Sequence, residues 1–382
     1  MTESNEKKPA EPTTGYKDRP WIPRFWEGMN MSAWFPLLAH HRFAISPSRI
    51  GMTLSISMLA CINTFLWSIQ WVLFERRIKR TEIAEDPIFI IGHWRSGTTM
   101  LHELMVLDSR HNYPDTYECF APNHFLASGF LVRPLLSMLL PSRRPMDNMA
   151  AGWDRPQEDE FALCSMGVPS PYLWLIFPNH RRENQEYFDL SEVPAKDLAL
   201  WKQKLLWFLK CISLRDKRRI VLKSPTHTFR VKVLLEMFPK ARFIHIVRDP
   251  YVLFASTMRL WKRLSRDEGV QVPRHEGLEE YVYNTFSQMY EAFERDRQLI
   301  GPAQLQEVRY EDLVADPVGR MRQIYEGLGL GGFDQVLPAL QQYAEDKKDY
   351  QTNRYEIDPE TRAETGRRWK SFIERYGYNS QG

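Results

Sequence analysis

Between residues 88 and 99 the chain reads IFIIGHWRSGTT, an apolar run followed by two glycines five residues apart, one arginine and three hydroxyls. A strand that breaks at such a turn into a helix gathers backbone N–H groups at the positive helix end, a natural seat for a phosphate. The spacing G-x-x-x-x-G-T-T lies close to the nucleotide-binding pattern G-x-x-x-x-G-K-[ST]. Thr98, however, stands where that pattern has its lysine, and a cation sits inside the loop at Arg95 instead. An enzyme of nucleoside triphosphates uses that lysine on the β and γ phosphates and a hydroxyl on magnesium. A ligand carrying less charge than a triphosphate fits such a loop better.

A second anion site is legible in ARFIHIVRDPYVLFASTMRLW. An apolar strand ends on Arg248, Asp249 and Pro250 have the chemistry of an N-cap and first helical residue, and Ser256 follows in the second turn. Arg248 offers a planar fork to a phosphate dianion and Ser256 a single hydroxyl donor. Group transfer between anions also needs a cation where charge develops on the leaving oxygen. Arg95 is one candidate and Lys223, at the end of RRIVLKSP, is another.

These residues must be held by strands and helices, and the pattern supplies both. Short apolar β-rich runs at Ile88 to Ile91, Ile220 to Leu222, Phe243 to Val247 and Leu305 to Val308 alternate with helical stretches at Thr98 to Leu107, Thr228 to Met237, Tyr251 to Leu264 and Val318 to Leu328. Alternation of this kind predicts βαβ units: an α/β, P-loop-like, three-layer fold whose mostly parallel sheet is flanked by helices. Strands of such a sheet end on one edge, which would bring Lys223 near the Gly92 loop. The segment from about 110 to 218 is an insertion whose stretch PSPYLWLIFPNH suits pocket walls.

The motif R-S-G-T-T resembles the 5′-phosphosulfate loop of sulfotransferases, which Arg95, Ser96, Gly97, Thr98 and Thr99 match one by one. R-D-P with a serine eight residues after the arginine resembles the same family's 3′-phosphate site. The stretches VLKSPTHTFRVKVLLEMFPKARFIHIVRDP and VRYEDLVADPVGRMRQIYEGLGL extend the likeness to its bacterial branch, with tyrosylprotein and carbohydrate members, over roughly residues 85 to 330. The resemblance implies PAPS (3′-phosphoadenosine 5′-phosphosulfate) as donor, PAP as product, no metal, and a hydroxyl or amine acceptor on a small molecule, carbohydrate, lipid or peptide. By analogy with the family it also implies Lys223 as the cation on the bridging oxygen and Glu118, in PDTYECF, as general base. His227, His124 and the acidic cluster Glu158, Asp159 and Glu160 compete with Glu118 for that role. Arg367 and Arg368 in ETGRRWK fit a basic C-terminal loop or a solvated surface.

Bulk composition narrows the rest. With 382 residues, 43% of them hydrophobic, the chain can bury a large core, and a net charge of +3 gives no footprint for nucleic acid. Four cysteines, far apart and with no C-x-x-C pair, favour neither a disulfide framework nor zinc, so a reducing, cytoplasmic setting is expected. Residues 1–20 read as a disordered leader, 21–84 as a helical, apolar extension and 85–382 as the sulfotransferase-like domain. The run from Gly51 to Phe74 has no charged residue, but Thr53, Ser55, Ser57, Asn63, Thr64, Ser68 and Gln70 dilute it. It can be a packed helix, an interfacial anchor or a bilayer span. Arg76, Arg77, Lys79 and Arg80 after it would keep the following domain cytoplasmic in any of these cases. Two rival functions remain at this level: a P-loop kinase or NTPase, and a membrane-attached binding protein without turnover.

Overall fold

The central strands form because their sequences are largely apolar runs, which a sheet covered on both faces accepts. The structure, a computed structural model, describes residues 24–137, 152–347 and 357–378, so the leader expected at 1–20 lies outside the described residues. Five strands build one sheet: β1 (Ile88–Ile91), β2 (His111–Asn112), β3 (Arg219–Lys223), β4 (Arg242–Val247) and β5 (Leu305–Arg309). Their order is β2-β3-β1-β4-β5 and every pair is parallel. Ile90 of β1 lies opposite Lys223 of β3 and Ile91 opposite His245 of β4. All of these strands therefore run out on the edge where β1 passes into the Gly92 loop.

Fifteen helices accompany the sheet among the described residues: α1 (Met31–His40), α2 (Ile50–Arg80), α3 (Thr98–Met105), α4 (Thr116–Phe120), α5 (Phe125–Ser137), α6 (Asp159–Ser165), α7 (Ala195–Arg215), α8 (Val231–Met237), α9 (Pro250–Glu268), α10 (Leu278–Asp296), α11 (Tyr310–Ala315), α12 (Pro317–Gly327), α13 (Phe333–Asp346), α14 (Pro359–Arg368) and α15 (Lys370–Tyr376). The period-two alternation of strand side chains sorts them into two cores. Ile88, Ile90, Val221, Ile244 and Ile246 point to α3, α11, α12 and α13. Phe89, Ile91, Leu222, Phe243 and Val247 point to the opposite layer, shared by α1, α2 and α6 through α10. This is the expected three-layer arrangement.

Two elements depart from expectation for local reasons. The helix expected from Thr228 starts at Val231, because Pro225–Phe229 first makes a tight 3-10 turn. Strand β2, two residues long at the sheet edge, carries no apolar run to announce it.

The N-terminal segment from residue 24 packs into the larger of the two cores. Trp26 and Trp34 are wholly buried, Phe25 stacks on Phe161 with ring centroids 3.7 Å apart, and the Trp26 indole N–H donates to the Glu268 carbonyl at 3.1 Å. Trp26→Ala should therefore cost the whole protein about 3–5 kcal/mol, the usual loss for a large core aromatic. Guanidinium unfolding would read this as a lowered midpoint of the main transition. An unchanged midpoint would mean that the segment folds apart from the sheet.

Candidate active site

The loop after β1 is built from backbone conformations that demand glycine. Gly92 has φ +147° and Gly97 +101°. A Cβ on Gly92 would sit 2.4 Å from the Ile246 carbonyl oxygen, and one on Gly97 would sit 2.3 Å from the Tyr310 ring. Gly97 then starts α3 as its N-cap residue, with Thr98 and Thr99 as the first helical residues. The Gly92 N–H donates to the Thr228 hydroxyl at 2.8 Å, and that hydroxyl donates back to the Gly92 carbonyl at 3.2 Å. The loop is thus tied to the segment that follows β3. Ser96 Oγ is fully buried with no hydrogen-bond partner among the described residues, which leaves a polar group inside this loop awaiting an acceptor or donor.

The second motif closes onto the first. Asp249 caps α9 by accepting from the N–H groups of Tyr251 (2.8 Å) and Val252 (3.3 Å), which fixes the turn after β4. Arg248 Nη1 donates to the Arg95 carbonyl at 2.9 Å, and its guanidinium lies over the Tyr310 ring at 4.1 Å. Arg95, itself at φ +69°, donates from Nε to Ser256 Oγ at 3.0 Å. Arg95, Arg248 and Ser256, separated by some 150 residues in sequence, are therefore one contact group.

Lys223 reaches the same edge from β3 and is nearly inaccessible, at 1% exposure. Its ammonium meets Glu158 Oε1 at 2.7 Å. The other oxygen of Glu158 accepts from the Tyr172 hydroxyl at 3.1 Å, and that hydroxyl accepts from the Trp94 indole N–H at 2.6 Å. Trp94 packs against Tyr172, Phe188 and Trp261.

Glu158 is the first of three consecutive carboxylates, and each grips a different part of the segment from Lys223 to Arg230. Asp159 accepts from Ser224 Oγ at 2.9 Å and pairs with His227 Nε2 at 2.7 Å. Glu160 accepts from Thr226 (3.1 Å), Ser170 (2.5 Å) and Arg230 (2.5 Å). Burial opposes ionisation of Asp159, but His227 and Ser224 outweigh it and hold its carboxyl below the ordinary range. On the far side of Lys223, burial and then the lysine's charge push the His102 pKa down to about 3. The spacing of this grip spans 65 to 70 residues, so only the run of three acids before FALCS marks it in the sequence.

The residues expected to serve as base fare differently. Glu118 is wholly buried as the third residue of α4, where its Oε2 accepts from the Asp115 N–H at 3.0 Å while Asp115 Oδ1 accepts from the Glu118 N–H at 2.9 Å. Arg215 Nε stands 3.0 Å from its other oxygen. This capping box ties Glu118 to the start of a helix. Burial, with the Asp115 charge beside it, raises its pKa to about 8. His227 is also fully enclosed, between Asp159 and the edge of Phe89. His124 spans Ser128 Oγ (2.8 Å) and Asn63 Oδ1 (3.1 Å), pinning α2 to the body. Of these carboxylates and imidazoles, Glu158 combines contact with Lys223 and partial exposure, 15% of its side chain. Arg367 pairs with Glu364, and Arg368 with Glu280 and Glu364, on the surface. A cluster of metal-capable groups lies in neither anion loop: ligand atoms of His40, His41 and Glu183 fall within 4.8 Å of one another.

The chain is similar to known proteins in sequence and in fold. The profile of the sulfotransferase family matches residues 87–335. Over 361 residues the chain is 46% identical to omega-hydroxy-beta-dihydromenaquinone-9 sulfotransferase Stf3 of Mycobacterium tuberculosis, covering 94% of this chain and 93% of that one. It is 26% identical over 291 residues to carbohydrate sulfotransferase 5 of Mus musculus, covering 66% and 65% of the two chains. The sulfotransferase STF9 from Mycobacterium avium shares the fold with a TM-score of 0.65 at 18% identity, over 93% of this chain and 98% of that one.

The position of Glu118 has a measurable signature. Unfolded, this carboxyl ionises near 4.5; folded, it keeps its proton to about 8. Its contribution to stability is thus complete below pH 4.5 and is lost as pH rises towards 8. Glu118→Gln stays neutral and keeps an acceptor for the cap. Between pH 5 and 8 the urea midpoint of the wild type should fall relative to that of the variant; equal slopes would show that Glu118 is ionised in the fold.

Proposed function

The chain belongs to the sulfotransferase family, and we propose that it transfers a sulfuryl group from PAPS to the hydroxyl of a lipid-like acceptor at the cytoplasmic face of a membrane. The observation that carries the donor assignment is the Arg95, Arg248 and Ser256 contact group, which joins a 5′ anion loop to a 3′ anion site. The loop suits a phosphosulfate: glycines leave no Cβ in the cradle, and the buried Ser96 hydroxyl has no other partner among the described residues. In this reading Arg95, Ser96, Gly97, Thr98 and Thr99 hold the 5′ end, and Arg248 with Ser256 holds the 3′-phosphate. The acceptor class rests on the 46% identity to Stf3, whose name places an omega-hydroxyl on a menaquinone. All four cysteines are free thiols, three of them buried, which suits a reducing compartment.

The chemistry follows from the contacts of Lys223. In transfer, the acceptor oxygen forms a bond to sulfur, the bond from sulfur to the bridging phosphate oxygen breaks, and PAP leaves with the electron pair. Lys223 and Arg95 stabilise the charge that grows on the leaving oxygen, the task of magnesium and the P-loop lysine in a kinase. Glu158 takes the acceptor's proton. Its ion pair with Lys223 suits both jobs, since proton transfer to Glu158 loosens the pair and frees the lysine side chain toward the donor. Asp159 with His227 and Glu160 with Arg230 are positioning pairs that hold the Lys223 segment in place.

Binding measured by calorimetry should show PAP preferred over ATP, with affinity unaltered by a chelator. Equal ATP affinity or loss of PAP binding in the chelator would return the chain to the kinase alternative. Arg248→Ala should weaken PAP binding by about 1.5–3 kcal/mol, the range for a hydrogen bond to a charged group. Glu158→Gln should lower kcat by roughly 10²- to 10⁴-fold, as expected for a lost general base, while PAP affinity holds. Turnover near the wild-type value in that variant would remove Glu158 from the role. With labelled PAPS, a long-chain polyisoprenoid alcohol should accept label in preference to a sugar or a tyrosine peptide.

A further inference from the structure

Helix α2 is inside out. Its polar residues face the protein: Ser57 Oγ accepts from the Trp34 indole at 2.9 Å, and Thr64 Oγ1 accepts from the Met31 N–H at 2.9 Å. Asn63 donates to the carbonyls of Glu27 and Met29, and Gln70 Oε1 accepts from the Leu126 N–H at 2.8 Å. Most of its large apolar residues face away, with Ile56 and Ile78 the buried ones. Leu54, Met58, Ile62, Phe65, Trp71, Val72 and Leu73 are exposed, Val72 by 72%. α5 packs beside it and adds Phe130, Leu131 and Leu135, with Phe130 82% exposed. Soluble proteins seldom leave so large an apolar surface to water. The sign of the pattern, polar in and apolar out, indicates an outer medium less polar than the protein's own interior contacts.

We propose that the shared apolar face of α2 and α5 docks the protein into one leaflet of an anionic phospholipid membrane, with α2 lying in the plane of that membrane. Charge decides for an anionic lipid surface. The apolar strip ends in Arg76, Arg77, Lys79 and Arg80, all exposed, and Arg42 and Arg49 stand at its other end. Cations framing an apolar face seat among lipid phosphates while the face enters the acyl boundary. Crossing the bilayer is excluded by what holds the inner side. α1, α5, α7 and the Phe25–Gly28 turn cover α2 on that side, and hydrogen bonds fasten it as far as Glu75, which accepts from the Trp207 indole at 3.2 Å. A spanning α2 would carry those charged and hydrogen-bonded partners into hydrocarbon. The proposal rests on, and deepens, the assignment of a lipid-like acceptor: the enzyme would meet its substrate in the leaflet where the substrate resides.

The test uses the full-length protein and vesicles without donor or acceptor, so it can fail independently of the acceptor assignment. In flotation at 0.1 M salt, the wild type should partition at least tenfold more strongly to vesicles of phosphatidylglycerol and phosphatidylcholine than to phosphatidylcholine alone. Leu54→Glu/Phe65→Glu/Val72→Glu should reduce that binding tenfold or more, with circular dichroism and PAP affinity unchanged. Arg76→Glu/Arg77→Glu/Arg80→Glu should abolish the preference for anionic lipid. Bound protein should be released by alkaline carbonate, as an in-plane helix is; retention would mean a spanning helix and overturn the proposal. Wild type that ignores both vesicles, or a dimer in light scattering that the Leu54/Phe65/Val72 variant dissociates, would overturn it in favour of a second copy on this face.

Discussion

A lysine buried against a carboxylate, almost out of reach of water, is the constraint around which this site is organised. Lys223 has almost no access to solvent, and desolvating an ammonium costs several kcal/mol unless a partner compensates. Glu158 is that partner, but a single carboxylate on a loose segment would not hold the lysine in register. The chain therefore binds the whole stretch from Lys223 to Arg230 with three successive acids, each meeting a different donor. The two inner pairs are fully buried, so they cannot slip without leaving buried polar groups unpaired. Their rigidity is passed to Lys223 through the intervening turn and to the Gly92 loop through Thr228.

That arrangement also explains what the sequence could and could not reveal. The turns after β1 and β4 were legible because each is local: glycines at fixed offsets, an arginine at a strand end, an Asp-Pro cap. The strands were legible because a doubly covered parallel sheet writes itself as apolar runs such as IFII. The grip on Lys223 was not, since Glu158 and Lys223 are 65 residues apart and no short pattern links them. Glu118 shows how one spacing can serve two purposes. Its placement after the first helix suited a base, yet the D-x-x-E spacing with Asp115 is also a capping box, and the local structure used it as one.

The apolar extension shows the same limit from another side. In sequence, the hydroxyls and amides between residues 53 and 70 look like impurities in a hydrophobic run. In the fold Ser57, Asn63, Thr64 and Gln70 are the bonding face, turned toward backbone groups, an indole or an imidazole of the body, while Ser68 stays exposed and bonds back to its own helix. Composition counts residues without direction, and here direction carries the information.

The topology sets a demand on the newborn chain. Ile88 of β1 pairs with Val221 of β3, 133 positions later, and with Arg242 of β4 beyond that. At about 5–20 residues added per second, β1 waits roughly 7 to 27 s for its first neighbour. Through that interval four consecutive aliphatic and aromatic side chains and their unpaired amides are held open beside the ribosome. Slower synthesis lengthens the exposure, so yield of folded protein should depend on translation speed and on chaperones that shelter short apolar strands.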